Sequence, residues 1–272
     1  MAGKVNKAMI TKTLTAVILV AVCLPPVLLG GIWIKILTAV VAALASYEIA
    51  NIQSEKAKWV TTIINLVVML GLIACPERLF AMIQAFYATV LFLSVLIDKD
   101  TTAEFAAYSF MLTMIVSIGL RGVQHFYTFE NGFTIFLFVA LTCYACDTGA
   151  YFFGVFFGKH KMIPRISPNK TWEGSIGGYF SGVGIGLLIG FLCAHFLPTS
   201  PDALPASLIV AASLTLPLLA QLGDLSFSSV KRHFGIKDFG SFLPGHGGIL
   251  DRIDSLVFCL MFFEALMLLW KI

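Results

Sequence analysis

The stretch "FTIFLFVALTCYACDTGAYFFGVFF", Phe133 to Phe157, carries one charged side chain, that of Asp147, between two long apolar flanks. A helix needs about 20 apolar residues to cross a bilayer, and this run is long enough. It reads as a membrane-spanning helix with a carboxyl group near its middle. Ionisable groups at that depth are costly and mark either a structural hydrogen bond to a neighbouring helix or a functional site. Both readings apply to Asp147.

The rest of the chain agrees with this stretch. Of its 272 residues 58% are hydrophobic and 12% charged, where a soluble domain carries about a quarter charged residues. Mean hydropathy is +0.92. These values exclude a soluble domain with a single anchor and predict an all-α, polytopic integral membrane protein. Eight more runs are long enough to consider as spans: Thr11–Leu29, Ile32–Ala50, Val60–Cys75, Leu79–Ile97, Phe105–Leu120, Ile176–Leu197, Leu204–Leu222 and Ile253–Trp270. The expectation is about nine helices in a single membrane domain over residues 1–272, with N-terminal helices in 1–130 and catalytic helices and loops in 131–272. The lysine-rich N-terminus lacks a small-residue cleavage site and reads as part of a retained first helix. The six cysteines lie in or beside apolar runs, which argues against a disulfide scaffold. Cys143 and Cys146 read as buried small hydrophobes rather than a metal or redox pair.

Basic residues set the orientation. With nine spans and a cytoplasmic N-terminus, fourteen of the eighteen Lys and Arg residues fall on the cytoplasmic side; Lys35, Arg78, Arg121 and Lys271 fall opposite. Eight of the fourteen sit in two loops, Gly158–Gly174 and Lys231–Arg252, so chemistry is expected to face the cytoplasm. In the seventh run Gly174, Gly178, Gly182, Gly186 and Gly190 recur every four residues. That spacing lets another backbone come close and reads as helix packing, within the subunit or across a dimer.

The acids at the inner ends of the last two runs form the main constellation. Asp224 lies in "AQLGDLSFSSVKR", and "SFLPGHGGILDRIDSLVF", Ser241 to Phe258, supplies Asp251 and Asp254. Three apart, the latter two share a helix face. Asp is also a favoured N-cap, and an acid three residues later resembles a capping box. Capping alone explains neither the preceding His246, Gly247 and Gly248 nor Arg252. Glycines there permit close backbone approach to a ligand. Lys231, Arg232 and Lys237 point to an anionic ligand, although the positive-inside bias accounts for some of that charge. Glu48 and Glu264 are weaker candidates, and Glu48 is placed to reach water near the cytoplasmic end of its run. Mg²⁺ takes a few carboxylate oxygens and completes its shell with water and substrate phosphate, so the residues point to metal-assisted phosphate chemistry at the membrane surface. No suitably spaced Cys/His set on the inner side favours zinc.

From Ser228 to Asp254 the chain reads "SSVKRHFGIKDFGSFLPGHGGILDRID". This resembles the signature of the phosphatidate cytidylyltransferases, or CDP-diacylglycerol synthases, at every specified position. "CDTGAYFFG" and "SPNKTWEG" are similar to other recurring segments of that family, in the expected order. The resemblance implies an all-helical, dimeric, bacterial-type enzyme of the inner cell membrane that joins CTP and phosphatidic acid into CDP-diacylglycerol and pyrophosphate. It implies Mg²⁺, with K⁺ as a candidate companion ion, and carries the metal-binding acids onto Asp224 and Asp251, with Asp254 in the same motif. No nucleic-acid partner is expected.

On this basis Lys231, Arg232, Lys237 and Arg252 are expected to pair with phosphates. Ser167, Asn169 and Lys170 would hold the nucleotide or lipid headgroup, with Gly247, Gly248 and Asp147 also in the substrate site. His246 would donate a hydrogen bond to a phosphate. The competing readings are a CTP-dependent lipid kinase and a transporter of an anionic solute.

Overall fold

The computed structural model describes residues 2–52, 58–196, 204–245 and 247–271, without the side chains of residues 2–12 and 196. His246 therefore lies outside the described residues. The described elements are α1 (Ala2–Leu29), α2 (Gly31–Ala50), α3 (Lys58–Ala74), α4 (Phe80–Ile97), α5 (Ala103–Phe126), α6 (Gly132–Phe157), β1 (Lys161–Ile163), β2 (Ser167–Thr171), α7 (Trp172–Phe196), α8 (Ala206–His233) and α9 (Leu250–Trp270). Each expected run coincides with one helix. Among the described residues seven helices are long and apolar enough to cross a membrane, while the apolar part of α1, Thr13–Leu29, and α3 are shorter. The protein is a multi-pass membrane protein. Leu96 and Ile97 are each 81% exposed, a placement that suits lipid and not water.

Two expectations about element bounds change. α5 continues to Phe126 and α8 to His233, past the ends of their apolar runs. Hydropathy marks where the membrane ends, whereas the helix continues as long as its backbone bonds do. The loop around "SPNKTWEG" also contains an antiparallel hairpin of β1 and β2, paired Lys161 with Thr171 and Ile163 with Ser167.

The chain divides into two compact units. The first comprises residues 1–124 and 234–253, the second 125–233 and 254–272. In the first, α1 turns into α2 through Gly30 and Gly31, at φ of 61° and 53°, a left-handed conformation that costs other residues more. α3, α4 and α5 pack through Val68, Leu72, Tyr87, Leu91, Ala106 and Met114. Within that layer Tyr87 Oη donates to Asn65 Oδ1 at 2.7 Å and meets Thr113 Oγ1 at 3.0 Å. Arg121 Nη1 donates to the Leu72 and Cys75 carbonyls at 3.1 and 2.6 Å. It thereby satisfies acceptors that the end of α3 leaves open.

In the second unit the glycine ladder of α7 accounts for the packing. A methyl group on Gly178 would sit 2.7 Å from Ala150 Cβ and from the Cys146 carbonyl on α6. On Gly182 it would meet Pro217 of α8 at 2.8 Å, and on Gly186 Ser213 Oγ at 2.9 Å. The ladder thus serves contact between α6, α7 and α8 of one chain. Cys143 and Cys146 are buried free thiols, and the Cys146 thiol donates to the Pro217 carbonyl at 3.4 Å. Glu264 is buried and pairs with His125 at 2.9 Å.

Candidate functional site

In the second unit, the polar end of α8 carries Asp224, Ser228 and Lys231 on one face, at helical spacings of four and three. Ser228 Oγ donates to Asp224 Oδ1 at 3.3 Å. Gly223 lets α8 lie close to α9: a methyl group there would be 2.6 Å from the Asp254 carbonyl and 3.1 Å from Phe258. Asp254 consequently lies near enough to Asp224, Lys231 and Asp147 for their charges to interact. Asp147 comes from α6 and interacts with Asp224 and Lys170, while the Ser255 hydroxyl donates to its carboxylate. Asp147, read from sequence as an intramembrane acid of the substrate site, lies in an acidic group with Asp224 and Asp254.

The hairpin brings a cation to this group. Lys170 Nζ lies 2.7 Å from Asp224 Oδ2, both side chains half-buried. The hairpin is held at several points. Thr171 Oγ1 accepts from Gly174 N at 3.2 Å, the bond expected of an N-cap at the start of α7. Glu173 Oε2 accepts from the backbone N–H groups of Lys159 and His160, each at 3.2 Å. Arg232 Nε donates to the Ile166 carbonyl at 3.3 Å, tying α8 to the hairpin turn. Ser167 and Asn169 lie on β2, half-buried and exposed respectively. Strand alternation puts Asn169 and Lys170 on opposite faces.

In the first unit, the segment after α8 folds around a cavity of about 440 Å³ lined by Lys237, Asp238, Gly240, Ser241, Leu243, Pro244, Gly245, Gly247 and Arg252. Gly247, at φ 82°, closes a bridge in which Leu243 N donates to its carbonyl at 3.0 Å. Asp251 Oδ2 accepts from Phe239 N at 2.9 Å and from Gly248 N at 3.0 Å. It therefore holds the loop, but not as the N-cap that the sequence suggested: α9 already begins at Leu250, and the N–H groups that Asp251 accepts from precede the helix. Of the charged residues lining the cavity, Lys237 and Arg252 outnumber Asp238, and Ser241 lies with them.

Glu48 departs from expectation. It does not reach water: it is 1% exposed, and its carboxylate accepts from Ile249 N at 2.7 Å and Leu250 N at 2.9 Å. A methyl group on Gly248 would sit 2.5 Å from both of its oxygens. Gly248 therefore makes room for a carboxylate of the protein itself, not for a ligand. The available signal was the position of an acid in the last turn of α2, where the helix dipole opposes it.

Among the described residues no three His, Cys, Asp or Glu side chains converge into a metal-holding cage. Mg²⁺ does not require one, because one or two carboxylates suffice when phosphate and water complete the shell. Asp224, with an ammonium already at its carboxylate and two acids nearby, has the donor chemistry for such a cation.

Residues 10–270 match the cytidylyltransferase family. The chain belongs to that family. It is 36% identical over 263 residues to the phosphatidate cytidylyltransferase of Staphylococcus aureus strain COL, covering 94% of this chain and 98% of the relative. The phosphatidate cytidylyltransferase of Staphylococcus haemolyticus strain JCSC1435 is 35% identical over 263 residues with the same coverage. That of Staphylococcus epidermidis strain ATCC 12228 / FDA PCI 1200 is 33% identical over 264 residues, again covering 94% and 98%. A cytidylyltransferase handles polyanions, and both units carry lysines and arginines suited to them.

Proposed function

We propose that this chain transfers CMP from CTP to phosphatidic acid, giving CDP-diacylglycerol and pyrophosphate. The observation that carries this reading is 36% identity over 94% of the chain to a protein named phosphatidate cytidylyltransferase. A phosphate oxygen of phosphatidic acid forms a bond to the α-phosphorus of CTP as the bond to pyrophosphate breaks. A phosphate monoester with a second pKa near about 6 is already largely ionised at neutral pH, so no strong general base is needed. The barrier lies in bringing two polyanions together, and fixed cations lower it.

Lys170 and Lys231 in the second unit, and Lys237 and Arg252 in the first, are the side chains proposed to pair with phosphates. Arg232 combines that role with holding the hairpin. Ser167 and Asn169 border the nucleotide or headgroup, and His246 donates to a phosphate. Asp224 is the principal metal ligand, with Asp254 and Asp147 beside it. The resemblance also assigns Asp251 to the metal. Mg²⁺, with K⁺ as companion, would neutralise charge on the attacking and leaving oxygens. The enzyme is proposed to work as a homodimer in the inner cell membrane, its site open to cytoplasm and to membrane lipid. The support for that orientation is the fourteen-to-four partition of basic residues.

Purified protein given α-³²P-labelled CTP, phosphatidic acid and Mg²⁺ should form labelled CDP-diacylglycerol and release unlabelled pyrophosphate. γ-Labelled CTP and diacylglycerol should give no labelled lipid. Phosphorylated diacylglycerol, or solute flux in vesicles without lipid-linked CMP, would replace the proposal with a kinase or a transporter.

A further inference from the structure

Two carboxylates close the segment that lines the cavity of the first unit, and one of them comes from far away in the chain. Glu48, in the last turn of α2, has its two oxygens against the N–H groups of Ile249 and Leu250, where α9 begins. Those donors belong to the set that an α-helix leaves open at its N-terminus. They are buried, Ile249 at 7% and Leu250 at 0% exposure, so water is not a ready substitute. Gly240 and Gly248 both lie against the same carboxylate: a methyl group on Gly240 would be 2.8 Å from Glu48 Oε1. Asp251, in the first turn that Glu48 caps, fixes the other end of the segment through Phe239 and Gly248. Lys237, Ser241, Gly247 and Arg252, which line the cavity, lie within or next to the span these bonds enclose.

We infer that Glu48 is a positioning residue for the nucleotide: by capping α9 it sets the cavity that presents Lys237 and Arg252 to the CTP phosphates. The inference rests on the proposed function and adds a residue outside the signature. Placing a carboxylate in the last turn of α2 is unfavourable for α2 alone, and the N-terminus of α9 offsets it. α2 therefore acts directly on the loop that lines the cavity. Glu48 touches no substrate and acts through backbone.

The test compares the full-length protein with Glu48→Gln and Glu48→Ala, purified in the same detergent. Gln keeps one acceptor oxygen and presents an NH₂ group to the second donor; Ala removes both acceptors. KM for CTP should rise about tenfold in Glu48→Ala and to an intermediate value in Glu48→Gln, with KM for phosphatidic acid within twofold of the parent. Hydrogen exchange should quicken in peptides covering residues 238–252 and stay unchanged in those from α6 and α7. A merely structural role would lower the unfolding temperature and leave KM for CTP where it was; that result in folded variants overturns the inference. Unchanged exchange over 238–252 overturns it as well, whatever the kinetics. If the parent protein makes no CDP-diacylglycerol, the enzyme reading has failed. The exchange data then still decide whether Glu48 holds the cavity.

Discussion

Asp251 is the residue on which two accounts of the signature diverge, and one substitution separates them. The hydrogen bonds from the Phe239 and Gly248 N–H groups to Asp251 both fall on Oδ2. Asn can place its amide oxygen there and keep both, with its NH₂ group in the position of Oδ1. Bonds to a charged acceptor are worth about 1.5–3 kcal/mol each, and those to a neutral one about half as much. Taking the lower value because Asp251 is half-buried, Asp251→Ala should cost about 3 kcal/mol of stability and Asp251→Asn about 1.5 kcal/mol. If Oδ1 and the negative charge also serve the metal, Asp251→Asn should lose at least a hundredfold in turnover while remaining folded. The assay pairs thermal unfolding in detergent with formation of lipid-linked CMP from labelled CTP. Turnover at the parent level in folded Asp251→Asn would falsify the metal role carried over by resemblance. An Asp251→Ala protein that melts with the parent would sink the account of the loop.

Lys170→Met removes the ammonium 2.7 Å from Asp224; for a half-exposed pair the stability change should stay within about 1 kcal/mol. The initial rate at subsaturating CTP should nevertheless fall at least tenfold, and a rate within twofold of the parent refutes the role of Lys170 in binding phosphate. Gly178→Val places side-chain atoms where Ala150 and the Cys146 carbonyl already lie. Overpacking of that kind costs about 1–3 kcal/mol or more, so the yield of monodisperse protein should collapse. Gly184→Ala, with nothing within 4 Å of the added methyl, is the control and should behave as the parent on size exclusion.

The sequence is informative here where physics is local. Long apolar runs mark all the described helices, because a spanning helix satisfies its backbone internally and needs only length and apolar side chains. The four-residue glycine period of α7 marks a packing face for the same reason. The hairpin was less legible, because "SPNKTWEG" forms its bonds to a short partner strand and to a cap. Partnerships across the chain were not legible. The bonds of Glu48 reach 201 and 202 residues along the sequence, and no spacing rule encodes them. Asp147 was singled out by its depth, but its neighbours, Asp224 and Asp254, arrive on other helices and could not be read from its own run. The polar end of α8 was cut short in the reading because hydropathy falls at Leu222, yet Asp224, Ser228 and Lys231 share a face only because the helix continues.

The acids of the two units differ in what occupies them, and that difference bears on which can take a cation. Glu48, Asp251 and Glu173 accept from backbone N–H groups. Those donors are fixed by the fold and stay when a ligand arrives. Asp224 is instead held by the ammonium of Lys170 and the hydroxyl of Ser228, on side chains that can turn to other partners. A divalent ion competes far more easily with a lysine than with a helix N-terminus, because a displaced ammonium can pair with a phosphate while a displaced amide is left buried. On the proposed function, the duty of binding metal would thus fall first on Asp224, with Asp147 near it and Asp254, whose Oδ1 accepts from Ser255 N at 2.8 Å, after them, and Lys170 would be freed to pair with a phosphate. The same ordering gives Asp251→Asn the smaller effect on Mg²⁺ affinity and Asp224→Asn the larger. A Mg²⁺ titration of turnover in the two variants that returned the opposite order would reverse the assignment.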